Sequence, residues 1–175
     1  MPNALAHYYL QPLSWRRAKG SPEVYDLEAI GGAIGYLRYS GERRAFAQAG
    51  DGAWSFEPAG FFRSRIEVRA TPGGDLLATF HPSFWGIGGR VEVRGGPTFR
   101  VKSSKFDSVF TVFQPDGPTL VSYSLASFFG MHSPVTWGDD PSPFERWPWL
   151  LPLSWYLAVR HHKEMAAATA VVSTG

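Results

Sequence analysis

The sequence contains no cysteine. This absence excludes a disulfide framework, a zinc site with thiolate ligands, a cysteine nucleophile and lipid attachment through cysteine. The beginning of the chain also lacks the order of a secretory signal peptide, because its basic residues follow the apolar part instead of preceding it. We therefore expect residues 1–23 to be an N-terminal extension, as one strand or a surface arm. We expect a cytoplasmic protein, with a peripheral location at a membrane left open.

A long apolar run is also missing. The most hydrophobic segment, residues 147–159, is followed at once by Arg-His-His-Lys-Glu, and it is shorter than the roughly 20 apolar residues of a membrane-spanning helix. Its apolar side chains cover nearly every direction of a helical wheel, as in a helix enclosed by lipid or by protein. Length favours protein, so we predict an enclosed helix at residues 152–167. A helix on a membrane surface and a dimer contact remain alternatives.

Turn formers and aromatic residues are abundant. Aromatic residues make up 15% of the chain, which also contains 19 Gly and 14 Pro, and this composition favours a β-rich protein. Residues 62–70 alternate between apolar and charged, with Phe62 expected on the apolar face. Residues 90–102 repeat the pattern around a Gly-Gly-Pro turn, and residues 114–117 form another turn motif. These patterns predict one domain, residues 24–175, folded as a sandwich or a closed barrel.

Charge is distributed unevenly along the chain. Residues 63–105 contain eight bases and three acids, whereas residues 106–147 contain one base and five acids. If the strands of the first segment adjoin, their outward bases form a basic face suited to phosphate, which arginine binds with its planar fork. An ordinary solvated surface is the alternative. The candidate lipid- or anion-binding residues are Arg63, Arg65, Arg69, Arg90, Arg94, Arg100 and Lys102.

Motifs for catalysis, metal binding and cofactor binding are absent from the sequence. G-x-S-x-G does not occur, and the glycine-rich segments 31–35 and 86–90 match neither a P-loop nor a dinucleotide fingerprint. His161 and His162 are adjacent, so on a helix they point about 100° apart and cannot easily share one metal ion. We therefore predict no catalytic residue, no metal site and no cofactor.

The order of the segments resembles a known superfamily. Glycine-punctuated strands such as GRVEVRGGPTFRV come before one hydrophobic helix, LLPLSWYLAV, together with the tryptophan–phenylalanine pairs of GAWSF and SFWGIGGRV and the D-G turn of FQPDGPTLV. Over residues 24–172 this pattern resembles the tubby C-terminal-like superfamily, which includes tubby domains, LURP-one-related proteins and phospholipid scramblases. The resemblance is to a small, bacterial-type, stand-alone member. It implies a mainly β fold, a closed antiparallel β-barrel of about twelve strands enclosing a C-terminal hydrophobic α-helix.

The resemblance also implies a function without catalysis, because tubby domains bind phosphoinositide headgroups through basic residues of the barrel. Scramblases additionally use a cysteine cluster and a calcium segment, and this sequence has neither. Our first hypothesis is a binding module that recognises an anionic lipid headgroup or a protein partner through its basic face. A nucleic-acid partner and a transmembrane span are not expected, since neither signature is present.

Two alternatives stay open. One is a barrel hydrolase or isomerase that uses His81, His132 and Asp139 or Asp140 in a pocket at the barrel mouth. The other is a carrier of an apolar ligand, with the C-terminal helix as a detachable lid.

Overall fold

The strands of this protein form one continuous antiparallel sheet that curls into a nearly closed barrel. The computed structural model describes residues 4–84, 88–104, 108–125 and 132–172. Within those residues the strands are β1 (Ser14–Arg17), β2 (Val24–Ala29), β3 (Gly32–Tyr39), β4 (Ala45–Ala49), β5 (Gly52–Ala59), β6 (Arg65–Ala70), β7 (Leu76–Pro82), β8 (Gly88–Val93), β9 (Thr98–Ser104), β10 (Val109–Phe113), β11 (Thr119–Ser124), β12 (His132–Pro134) and β13 (Thr136–Trp137). The helices are α1 (Ser142–Arg146) and α2 (Leu150–Val172).

Neighbours in the sheet follow chain order from β1 to β11, and the two short last strands close the ring. β12 pairs with β1 and β13 pairs with β11. Only Val135 separates β12 from β13, so the two edges of the sheet meet at this corner. Closing the sheet removes the exposed edges that would otherwise invite pairing with another chain.

Helix α2 fills the interior of the barrel with its first ten residues. Every side chain from residue 150 to residue 159 is buried, which requires protein on all sides of the helix. The Trp155 ring stacks on Trp15 of β1 at 5.7 Å and contacts Tyr123 of β11 edge-on at 5.2 Å. Tyr156 packs against Phe56 of β5 at 5.2 Å. The predicted barrel with an enclosed C-terminal helix is therefore confirmed, with thirteen strands in the described residues.

Tyrosine hydroxyls tie the helix to the wall. Tyr39 donates to the carbonyl of Tyr156 at 3.0 Å, and Tyr156 donates to the carbonyl of Arg43 at 2.6 Å. Burial raises the pKa of Tyr156 to about 12, so the hydroxyl stays a neutral donor near pH 7. Satisfied donors of this kind let polar atoms enter a core without a large desolvation cost.

Connections alternate between the two ends of the barrel, because each strand runs opposite to its neighbour. One end, which we call the exit end, carries the turns at residues 18–23, 40–44 and 60–64 and the beginning of the β7–β8 connection at residues 83–84. Helix α2 leaves the barrel there, where Lys163 pairs with Glu23 at 3.3 Å. The opposite end, the distal end, carries the turns at residues 30–31, 50–51, 71–75, 94–97 and 114–118, together with α1.

Four sequence expectations differ from the structure in detail. Phe62 does not face the core. It lies in a 3₁₀ turn, Phe61–Arg63, that precedes β6, and its left-handed φ of 60° takes it out of the strand alternation. The helix is longer than predicted, Leu150–Val172. Its enclosed part ends sooner than the predicted residue 167, because the side chains are buried only as far as Val159. The domain boundary at residue 24 falls between two paired strands, so β1 of the predicted extension belongs to the ring.

Candidate functional site: a basic groove on the barrel wall

A groove of about 610 Å³ crosses the outer faces of β7 to β10. We call it the basic groove, and it is lined by His81, Pro82, Ser83, Gly89, Arg90, Arg100, Val101, Lys102 and Phe113. Eight of the nine lining residues come from four neighbouring strands, so they are placed by main-chain hydrogen bonds, and Ser83 begins the β7–β8 connection. Sites built on regular elements hold their side chains more exactly than sites on loops do.

Strand register brings the cations of the basic groove together. Arg90 of β8 pairs directly with Arg100 of β9 on one side and with His81 of β7 on the other. Lys102 lies two residues further along the same face of β9, opposite Gly88. Side chains of paired residues share a face of the sheet, with Cβ atoms about 5 Å apart. Because like charges directly opposite one another are unfavourable, this arrangement raises the local positive potential at a cost to the sheet.

One carboxylate partly neutralises the groove. Glu92 accepts from Nε of Arg90 at 2.7 Å and lies 3.2 Å from Nε2 of His81. The hydrogen bond from Arg90 holds the pKa of the Glu92 carboxyl below its usual value, with a further contribution from His81. Arg90 and His81 are therefore oriented by a common acid, which keeps both side chains at the groove in fixed directions.

The other two cations of the groove have no acidic partner among the residues that the structure describes. Within the described ranges the structure gives no ion pair to Arg100 or to Lys102. The Arg100 guanidinium lies over the ring of Phe113, 5.6 Å from its centroid. Stacking on a ring orients the guanidinium while leaving its N–H donors available. Arg100 and Lys102 are thus the groove residues best prepared to bind an anion.

The predicted basic face is divided by the structure. Three of the seven predicted residues, Arg90, Arg100 and Lys102, line the basic groove. The other described ones lie elsewhere: Arg69 is engaged with Glu67 at 2.6 Å and with the Gly74 carbonyl. The side chain of Arg63 lies outside the described residues.

Arg65 and Arg94 also lie outside the groove. The Arg65 side chain lies beside Gly60, towards β5 and away from β7. Arg94 lies beyond Glu92 at the distal end of β8, where its amide donates to the carbonyl of Leu77. Neither side chain therefore shares an anion with Arg100.

Sequence reasoning missed Phe113 altogether and assigned His81 to a different hypothesis. Both stand next to groove cations only through cross-strand register: Phe113 pairs with Arg100, and His81 with Arg90. The available signal was the turn length of each hairpin, since the turn sets which residues of two strands face each other. That signal is usable only once every strand boundary is known.

The residues named for an enzymatic pocket are not brought together. His81 lies on β7 and His132 on β12, with β1 to β6 between them along the sheet. Asp140 accepts from the amide and the hydroxyl of Ser142, at 2.9 and 3.0 Å, where α1 begins. Among the residues that the structure describes, no group of three His, Asp or Glu side chains could hold a metal ion.

His161 and His162 lie half-buried just beyond the buried part of α2, at the polar end of that part as the sequence predicts. The described helices include none with the length and hydropathy that a membrane crossing requires.

Comparison with known proteins gave no relative. No family model matches the chain, and neither the curated proteins nor the solved structures contain a match. The resemblance to the tubby-like superfamily therefore stays a prediction that rests on the order and pattern of the sequence segments.

Proposed function

We propose that this protein is a tubby-like binding module without catalytic activity, and that its basic groove binds a phosphate-bearing anion such as a lipid headgroup. The observation that carries the proposal is the pair Arg100 and Lys102, which lie on one strand face without an acidic partner in the described residues. Arginine and lysine together provide a planar fork and a mobile point charge, the two usual ways of binding phosphate.

The surroundings of this pair support an anionic ligand. Arg90 adds a third cation directly across from Arg100, and its own position is fixed by Glu92. Like charges held this close on a sheet are relieved by a bound anion, so binding and stability should be linked. The charges of an exposed groove are screened by salt, so its affinity for an anion should fall as the salt concentration rises.

A soluble phosphate ligand tests the groove directly. We would titrate the protein with a soluble inositol phosphate and with inorganic phosphate by calorimetry, at low and at high salt. The double variant Arg100→Gln and Lys102→Gln removes both unpartnered cations, and we expect it to bind at least about tenfold more weakly, since a charge-assisted hydrogen bond contributes roughly 1.5–3 kcal/mol.

Arg94→Gln is the matched control. Arg94 belongs to the same basic stretch and is exposed, but it lies outside the groove. It should bind the inositol phosphate as the unaltered protein does. A loss of binding free energy in Arg94→Gln half as large as in the double variant, which removes twice the charge, would mean that only net charge matters. No binding of either anion by the unaltered protein would contradict the proposal, and a protein partner would then be the hypothesis to test.

A further inference from the structure

The phenylalanines that the structure shows exposed all lie at the exit end of the barrel. Phe61 and Phe62 in the β5–β6 turn are 84% and 87% exposed, and Phe84, which follows β7, is 94% exposed. The other phenylalanines whose exposure the structure describes are buried or half-buried. Phe61 and Phe62 contact each other edge-on at 4.6 Å. Large apolar side chains clustered at one end of a molecule usually mark a surface that meets lipid or protein.

Exposed bases accompany these phenylalanines. They come from several turns and strand ends at the exit end: Lys19, Arg43, Arg44, Arg65, Lys102 and Lys163. The described acids at this end are Glu23, Glu42 and Glu164, of which Glu23 pairs with Lys163 and Glu164 with Arg160. In the described residues the exit end therefore combines an excess of positive charge with exposed apolar side chains. This combination fits a membrane with anionic lipids, into which aromatic side chains insert while bases contact the headgroups.

The projecting part of α2 favours a bilayer over a folded protein as the partner. Beyond Glu164 the helix contains no charged residue as far as Val172, and its described side chains from 166 to 170 are exposed. A fluid bilayer can accommodate a projecting helix of alanine, threonine, valine and methionine, whereas a folded partner would need a matching cavity. The helix emerges beside the turns at residues 18–23 and 40–44, so it stands apart from the phenylalanine turns.

We propose that the exit end docks on an anionic membrane, with Phe61, Phe62 and Phe84 inserted at the level of the headgroups. The proposal deepens the proposed function and rests on it in one respect, because it identifies the anion bound by the basic groove as the headgroup of a lipid in the same membrane. Lys102 and Ser83 lie at the exit side of the groove, and Ser83 immediately precedes Phe84. A barrel docked by its exit end therefore brings the groove to the headgroup layer.

The lack of cysteine makes the orientation measurable. A single Phe84→Cys variant can be labelled with a polarity-sensitive fluorophore at that position only, since the chain has no other thiol. Ile30→Cys is the matched control, because Ile30 is also apolar and 81% exposed but lies in the β2–β3 turn at the distal end. On vesicles of phosphatidylcholine with phosphatidylserine, the label at Phe84 should shift to the blue. The label at Ile30 should not, and neither should shift on phosphatidylcholine alone.

Binding should also depend on the phenylalanines. The triple variant Phe61→Ala, Phe62→Ala and Phe84→Ala should co-sediment with the anionic vesicles at least about tenfold more weakly, whereas Ile30→Ala should bind normally. All three side chains are exposed, so the variant should fold, and its circular dichroism and melting temperature would verify this.

The outcomes separate this proposal from the proposed function. Vesicle binding without a shift at Phe84, a shift at both labels, or no binding to vesicles would each overturn docking by the exit end. Binding of the soluble inositol phosphate could still stand in all three cases. Conversely, a shift at Phe84 that persists in the Arg100→Gln and Lys102→Gln variant would support docking and show that the groove is not needed for it.

Discussion

The two ends of the barrel differ in charge and in the exposure of their aromatic residues. At the exit end, exposed bases outnumber acids and three phenylalanines point to solvent. At the distal end the exposed charged residues in the described ranges are Asp51, Asp75, Asp116, Asp139, Asp140, Glu145, Arg94 and Arg146, so acids dominate. The aromatic residues there, Tyr9, Trp137 and Phe144, pack against one another instead.

This difference teaches that the distal end closes the core, whereas the exit end leaves apolar and basic side chains exposed. Phe144 is fully buried, and its carbonyl accepts a hydrogen bond from Tyr9 at 2.6 Å. The distal end is thus sealed by Tyr9, Trp137 and Phe144, which we call the aromatic plug. A molecule with separated charges also orients in the field of an anionic surface before contact, with its basic end leading. The acidic end would be repelled from the same surface.

The largest expected effect is on the aromatic plug. Phe144→Ala should lower the free energy of unfolding by about 3–5 kcal/mol, because it opens a cavity between Tyr9 and Trp137. Phe84→Ala at the exit end should change it by no more than about 0.5 kcal/mol. Urea unfolding measures both. Similar losses of unfolding free energy in the two variants would contradict the distinction between a distal end that closes the core and an exit end whose phenylalanines are exposed.

A second prediction concerns close packing at the exit end. Gly88 begins β8 with a φ of +134°, and a Cβ atom there would collide with the carbonyl of Val101. Gly73, in a distal turn, has a similar φ of +113° but open space around it. Both Gly→Ala changes strain the backbone, and only the first adds a collision. Gly88→Ala should therefore be less stable than Gly73→Ala by about 1–3 kcal/mol in urea unfolding. Equal stabilities would mean that the strands beside the groove are loosely held.

A third prediction concerns the pH dependence of folding stability at the distal end. Hydrogen bonds from Ser142 lower the pKa of the Asp140 carboxyl, chiefly the bond from its amide. The folded state therefore prefers the ionised form. The resulting stabilisation is fully present above the ordinary pKa of 3.8 and is lost as the pH falls through the lowered value. Asp140→Ala should lower the melting temperature slightly near pH 7 and make no difference in strong acid.

Asp139→Ala serves as the control for this effect, because the structure gives Asp139 no hydrogen bond to α1 in the described part of the chain. It should leave the melting temperature unchanged at either pH. A deficit of Asp140→Ala that persisted in strong acid would assign the effect to lost packing.

The smallest expected effect concerns Glu92, an acid that pairs with Arg90 and His81 at the basic groove. Glu92→Gln removes an acid that pairs with both Arg90 and His81, so the affinity for inositol phosphate should rise by a few-fold. Glu67→Gln is the matched control, since Glu67 pairs with Arg69 outside the groove. Calorimetry compares the two. An unchanged affinity in Glu92→Gln would mean that Arg90 takes no part in binding.

Much of the fold could be predicted from local pattern. Alternation along β6, β8 and β9 placed Ile66, Val91 and Phe99 in the core. The turn at residues 114–117 was also predicted correctly, and the amide of Gly117 donates to the carbonyl of Gln114 at 3.0 Å. These signals are local, because a turn or a strand face depends on neighbours a few residues away.

The candidate site was predicted only in part. Composition indicated a basic region, but the sequence alone does not separate Arg100 from Arg94, which follows the end of β8. Their difference lies in cross-strand partners, Phe113 beside Arg100 and the Leu77 carbonyl at the Arg94 amide. Arg69 differs locally, because Glu67 lies two residues away on the same strand and pairs with it. Phe62 was assigned to the core for a related reason, because a 3₁₀ turn interrupts the alternation without an obvious change in residue type.

By itself the sequence favoured an enclosed helix at residues 152–167, since the apolar side chains of residues 147–159 point in every direction and are too few to span a bilayer. It also determined which strand faces are apolar. The tertiary structure decided that protein encloses this helix, and that it does so over residues 150–159. Only the tertiary structure decided which charges meet. An antiparallel meander alternates its turns between two ends. Residues distant in the chain, such as Lys19, Arg44 and Phe84, are therefore collected at the exit end, while most of the exposed acids in the described residues are collected at the other. That sorting depends on strand direction and register, which no single segment specifies.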